Sequence, residues 1–264
     1  MKALLILLLT SSFLFSKVHY AKVEPYENIT LKAAVSAQVI FAKKKLEGTH
    51  VKGDILVKLD AHLDYIKLES SQRSLELIDR MIMTNQEVMA SIQESLNRQE
   101  EYYSRISMMN SASQTQKDNA FYTYNNSKTQ YISTQEKIDS LEKQKLDIEF
   151  EIKRLNDSIS KKTIRVKNKF INKLLVSKGD FVNMGTPIAQ LNDLSSGKLV
   201  LFLESEELKN IKKKKIYIDD KETRYKISKI WSVTDEKFIS AYRTEIIIKN
   251  PKKSFSKLLK VEFK

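Results

Sequence analysis

Two short stretches of this chain follow one pattern although residues 61–164 lie between them. The first places Gly48, Val51, Gly53, Leu56 and Leu59, and the second Gly179, Val182, Gly185, Ile188 and Leu191. In each, a Val stands three residues after a Gly, a second Gly follows, and aliphatic residues come three and six residues later. Each copy reads as a tight turn between two short strands, with Gly at positions that need positive φ and the spaced aliphatic side chains facing a small core. Residues 34–41 and 170–176, rich in β-branched and aromatic types, extend this strand character upstream. Neither half can bury its apolar face alone. The two together make a compact β-sandwich, which requires the chain to leave after Asp60 and to return near Arg165.

What fills the gap has a different period. Apolar residues recur at alternating steps of three and four from Leu68 through Ile78, Ile82, Met89 and Leu96 to Ile106. They recur again from Ala120 through Tyr131, Ile138, Leu141 and Ile148 to Ile159. That is the heptad seam of a coiled coil. The seams are equally long and are separated by a polar break at residues 110–113, so the segment is expected to be an antiparallel hairpin. Ser113 precedes Gln116 by the spacing of a capping box and marks the start of the second helix. Arms of about 45 residues would reach roughly 65 Å. The polar seam positions Asn85, Gln99, Ser127, Thr134 and Lys145 are expected to set register. The thioethers of Met81, Met83, Met108 and Met109 suit a soft metal, but with Met89 in the seam and the others on nearby helical faces, packing is the expected role.

The ends of the chain are unlike its middle. Net charge is +13, yet acidic and basic residues nearly balance within residues 61–163, so the excess sits at the termini. It is mostly Lys with little aromatic interleaving, and no recognition module is visible; a nucleic-acid partner is not expected. Lys2 followed by the apolar residues 3–15 reads as a secretory signal ending between residues 16 and 21, too short for a firm membrane anchor. The absence of Cys excludes disulfides, thiolate metal sites and Cys nucleophiles. After Leu191 strand-like runs alternate with turns at residues 198–203, 216–218, 224–231, 242–248 and 258–263, with a short amphipathic helix expected at residues 205–211.

The order half-motif, helical hairpin, half-motif, strand-rich C-terminus resembles the HlyD/AcrA-type membrane fusion proteins. The resemblance implies an α+β, elongated fold in six parts. These are a signal peptide (1–16), an N-terminal strand joining the barrel region (17–33), two halves of a split biotinyl/lipoyl-like β-sandwich (34–60 and 165–193), a long antiparallel α-helical coiled-coil hairpin (61–164, tip near 107–113) and a small β-barrel domain (194–264). It implies a periplasmic adaptor, associated with the inner membrane through a pump and assembled as a homo-oligomer, commonly a hexamer. Its hairpin tips would meet a TolC-like outer-membrane channel. A resistance-nodulation-division (RND) pump is favoured over an ABC exporter, because the signal-like stretch is short.

At the tip, the family pattern R-x-x-x-L-x-x-x-x-x-x-S aligns on Ser113 with Ile106 at the Leu position and Tyr102 where Arg is usual. Arg98 and Arg105 are the nearby cations, and Asp118 follows in the family's continuation. The resemblance implies a channel contact through these six residues and turn roles for Gly48, Gly53, Gly179 and Gly185. The run Lys212, Lys213, Lys214 and Lys215 is a candidate contact for an acidic pump surface or anionic lipid. A Gly usual after the short barrel helix is missing from residues 212–215, and one usual before the last strand is missing around Ser256. Because the lipoyl-like halves are interrupted, no covalent lipoate, biotin or other cofactor is expected. No phosphate loop, H-E-x-x-H, serine elbow or metal-spaced His cluster is present, and the expectation is a non-enzyme. A stand-alone periplasmic coiled-coil tether remains open as an alternative; it would not explain the repeated Gly turns.

Overall fold

The computed structural model describes residues 17–249, 251 and 255–264; the signal-like segment lies outside them. The fold is α+β, with one long helical hairpin and a curled β-sheet. Strand β1 (Val18–Lys32) leads into β2 (Ala37–Ala42), β3 (His50–Val51) and β4 (Asp54–Leu59). Helices α1 (His62–Met108) and α2 (Gln114–Lys161) follow, then β5 (Thr163–Val166), β6 (Lys169–Leu174), β7 (Phe181–Val182) and β8 (Pro187–Glu204). The chain ends with β9 (Ile216–Ile218), β10 (Lys221–Glu222), β11 (Ile227–Thr234), β12 (Ala241–Lys249) and β13 (Leu258–Phe263).

The larger sheet has the order β10-β9-β13-β1-β8-β12-β11, with β6 on β8 and β3 on β6; a second sheet runs β5-β4-β2-β7. Two cores result. One gathers Val39, Leu56, Val57, Ile171, Leu174, Val182 and Ile188 from both copies of the Gly pattern. The other gathers Val23, Leu199, Leu203, Ile246 and Val261, and the sheet must curl for strands from β1 to β13 to face one another there. Strands β1 and β8 serve both, since Ile29 and Leu31 meet the first core and Ala21 and Val23 the second, as do Ile188 and Leu199 on β8. Strand β8 therefore passes without a break through residues 193–194, where two parts were expected to meet.

Each helix, at 47 and 48 residues, is about 70 Å long at 1.5 Å per residue. The seam positions are all buried or half-buried, and Ile78, Ile82, Ile138 and Leu141 make the tightest cluster. Of the polar seam residues, Lys145 reaches across to Asp79 at 2.7 Å, whereas Asn85 and Thr134 bond to carbonyls of their own helix. Lys67 and Glu151 form a second bridge across the hairpin at 2.7 Å. Arg154 and Lys67 together hold the Glu151 carboxyl down at about 2. The hairpin is closed at its base by the Leu59 N–H donating to the Lys162 carbonyl and by Lys162 pairing with Asp64 at 2.7 Å.

Three expectations are corrected. Residues 205–210 form a run of turns leading into a 3₁₀ turn at Ile211–Lys213, not an amphipathic helix. Asn210 turns left-handed at φ +57°, which ends the run before α-helical bonding can extend. Strand β11 starts three residues later than expected, at Ile227. Met81, Met83, Met108 and Met109 are exposed rather than buried in the seam, the last two where α1 ends.

Asp193 accepts hydrogen bonds from Lys169 Nζ at 2.6 Å and from the Ser195 N–H at 2.9 Å. Lys169, then Ser195, pull its carboxyl down to about 2. A depressed carboxyl stabilises the fold above its ordinary pKa near 4 and loses that contribution as pH falls toward 2. Asp193→Asn is therefore expected to flatten the acid limb of the urea-midpoint profile between pH 4 and pH 2. An unchanged limb would show that the pair contributes nothing.

Candidate functional site: the hairpin tip and the split β-module

The tip is built by two helix ends. Helix α1 stops at Met108, with the Met109 N–H donating to the Ile106 carbonyl at 3.2 Å. Helix α2 starts with the capping box anticipated from its spacing. The Gln116 N–H donates to Ser113 Oγ at 3.2 Å, and the Ser113 N–H donates to Gln116 Oε1 at 2.9 Å. Such a reciprocal cap satisfies two otherwise orphaned donors and fixes the angle at which the chain turns. Ser113 thus has a structural role whatever it meets.

The six tip residues named from the sequence are dispersed over the end of the hairpin. Arg98 pairs with Glu94 at 3.6 Å on its own helix, and Asp118 accepts from Gln114 Nε2 at 2.8 Å. Arg105 has no carboxylate partner among the described residues and borders a cleft with Glu100, Glu101 and Ser104. Tyr102 is exposed and Ile106 half-buried. Sequence reasoning missed the aromatic character of this end. Tyr103 stacks on Tyr124 at 5.7 Å with an interplanar angle of 6° and meets Phe121 at 5.6 Å. Phe121 and Tyr122 are themselves exposed. The readable signal was the pair of aromatic residues following the seam residue Ala120.

At the other end of the hairpin the two Gly patterns are bound to each other crosswise. The Gly48 N–H donates to the Ile171 carbonyl, the Gly179 N–H to Val39 and the Gly185 N–H to Ala33, each at 2.8 Å. Every one of these bonds runs from one copy to the strands that precede the other. Gly179 (φ +100°) and Gly185 (φ +87°) lie where a Cβ is disfavoured, whereas Gly53, at φ +159°, is nearly extended. Ser256, where a family Gly is missing, adopts φ +64°, whereas none of residues 212–215 has positive φ and the nearest left-handed residue is Asn210 at φ +57°. Lys215 pairs with Glu222 at 2.8 Å, which raises its pKa. Lys212, Lys213 and Lys214 have no carboxylate partner among the described residues. No three or more His, Asp or Glu gather there as a metal site, and no described helix is long and apolar enough to cross a membrane.

No family model and no curated protein matches the chain. Solved structures do. MacA from Actinobacillus actinomycetemcomitans superposes with a TM-score of 0.75 at 17% identity, over 94% of this chain and 78% of that one. The membrane fusion protein Spr0693 from Streptococcus pneumoniae R6 gives 0.60 at 13% identity, over 94% and 99%. The periplasmic adaptor protein EmrA gives 0.51 at 16% identity, over 94% and 98%. The order of elements, the hairpin and these superpositions agree with the resemblance read from the sequence: the chain has the fold of the HlyD/AcrA-type membrane fusion proteins.

Proposed function

We propose that this protein is a periplasmic adaptor that links an inner-membrane pump to a TolC-like outer-membrane channel for export of small molecules. The crosswise Gly bonds carry the reading, because they make β2–β7 and the facing parts of β1 and β8 one module from which the hairpin projects. That module is the split lipoyl-like sandwich on this reading, and the curled sheet around the second core is the barrel. A rod of about 70 Å held only by a two-helix seam gains its lateral support in an oligomer, for which a hexamer is proposed. The tip residues Arg98, Tyr102, Arg105, Ile106, Ser113 and Asp118 meet the channel, and the Lys212–Lys215 run faces the pump or its lipid.

The adaptor performs no covalent chemistry; it seals and couples, and the pump supplies energy. An RND pump is proposed on the shortness of the apolar stretch at residues 3–15. Affinity capture of the tagged protein from crosslinked envelopes tests the assignment. Recovery of both an identified transporter and an identified outer-membrane channel is expected. Recovery of an ABC exporter would replace the pump class, and recovery of neither would leave the tether reading in its place. An intact mass with a lipoyl or biotinyl increment would replace both.

A further inference from the structure

The end of the curled sheet farthest along β1 and β8 from the helices brings together four segments that are distant in sequence. Val18 opens β1 opposite Glu262, and Lys17 bonds Glu204 at 2.7 Å. Ala241 lies opposite Glu204, so the loop between β11 and β12 leaves from the same end. Lys215 and Lys264 exchange backbone hydrogen bonds there, which brings in the Lys212–Lys215 run.

The surface so formed is apolar and basic. Val233, Phe238 and Ile239 are 75%, 51% and 81% exposed. Val233 lies in β11, and the loop that carries Phe238 and Ile239 is held in shape, since Asp235 Oδ1 accepts from the Lys237 and Phe238 N–H groups and Phe238 packs on Phe202 at 4.3 Å between centroids. Trp231 lies beside it between Lys229 (4.3 Å) and Arg243 (4.8 Å). Glu204 and Glu207 are engaged by Lys17 and His19. The side chains of Glu206 and Glu236 have no partner among the described residues, and neither do the ammonium groups of Lys212, Lys213, Lys214 and Lys237.

We infer that this end docks directly on an anionic lipid bilayer, with Val233, Phe238 and Ile239 in the headgroup–acyl boundary and the lysines on phosphates. Exposed aliphatic and aromatic side chains beside a Trp, with lysines at the same end of the sheet, have the composition of a membrane-interface contact. Each lysine near an anionic surface adds attraction that salt screens. The inference rests on the adaptor reading only for which membrane is met.

Trp231 is the chain's one tryptophan, so its emission reports this surface and no other. The full chain is mixed with vesicles of phosphatidylcholine and phosphatidylglycerol, with and without brominated acyl chains. A blue shift and bromine quenching are expected, both weakened by salt. Ile239→Asp and Val233→Asp, at exposed positions that leave the core untouched, should each weaken the Trp231-reported vesicle affinity roughly tenfold. Replacing Lys212, Lys213 and Lys214 by Glu should remove the salt dependence. Vesicle binding with unchanged Trp231 emission, absence of binding, or variants indistinguishable from wild type would each overturn the inference. A Trp231 response to captured pump in detergent but not to vesicles would assign the surface to a protein instead. Variants that lose quenching yet still capture pump and channel leave the adaptor reading standing; a quenching wild type that captures neither leaves only the lipid contact.

Discussion

Ile171→Ala is expected to lower the unfolding free energy by about 2–5 kcal/mol, the range for aliphatic truncation in a closed core. Ile171 is fully buried at the centre of the first core. Its main chain is tied on both sides to the other Gly copy, the N–H donating to Thr49 and the carbonyl accepting from Gly48. Those two bonds survive the substitution, so the loss measures the side chain's burial alone. A fall in the urea midpoint checks it, with Leu146→Ala, exposed on α2, as the control expected within about 0.5 kcal/mol of wild type. A cost at Ile171 no greater than at Leu146 would mean that the two halves do not share a core.

The second large effect is expected at Gly197, which the sequence patterns did not single out. A Cβ there would stand 2.7 Å from Val23 Cγ1 and 3.1 Å from Pro251 Cγ. The nearer of these neighbours has little room to yield. Val23 is fully buried, and its N–H and carbonyl are bonded to Lys257 and Ser256. Gly197→Ala should therefore cost about 1–3 kcal/mol through overpacking, and with it roughly 2–4 °C of Tm per kcal/mol. Adding Val23→Ala should recover part of that loss, because the two side chains compete for one space. Costs that simply add would show that the contact is not tight.

The helical hairpin and the cap at Ser113 were legible because both are local: a heptad seam and a four-residue cap state their geometry within a few turns of chain. Gly197 was not, because its constraint comes from Val23 and Pro251, brought to it by strand pairing. The left-handed Asn210 and Ser256 were hidden for a related reason. Asn210 sits among turns and Ser256 just ahead of β13 with its N–H on the Val23 carbonyl, so tertiary placement decides which of the chain's Asn and Ser residues turns left-handed. The loop carrying Phe238 and Ile239 looked like a turn between strands; that its apolar residues point outward depends on Asp235 bonding within the loop and on Phe202 beneath it. The tip was half legible, since the capping residues were found and the aromatic cluster was not.

Strands β1 and β8 run through both cores, but the register of their ladder shifts twice, between Pro25 and Glu27 and, by less, between Leu31 and Lys32. Between Pro25 and Glu27 on β1, the partner on β8 jumps from Gly197 to Asp193. Pro contributes no N–H to a ladder, and a bulge increases local twist. Flexure between the hairpin-bearing module and the curled sheet is expected at this larger shift, where the β1–β8 pairing is interrupted. The Lys169–Asp193 bridge and the crowded Gly197 flank this larger shift, so the joint it makes is fastened on both sides.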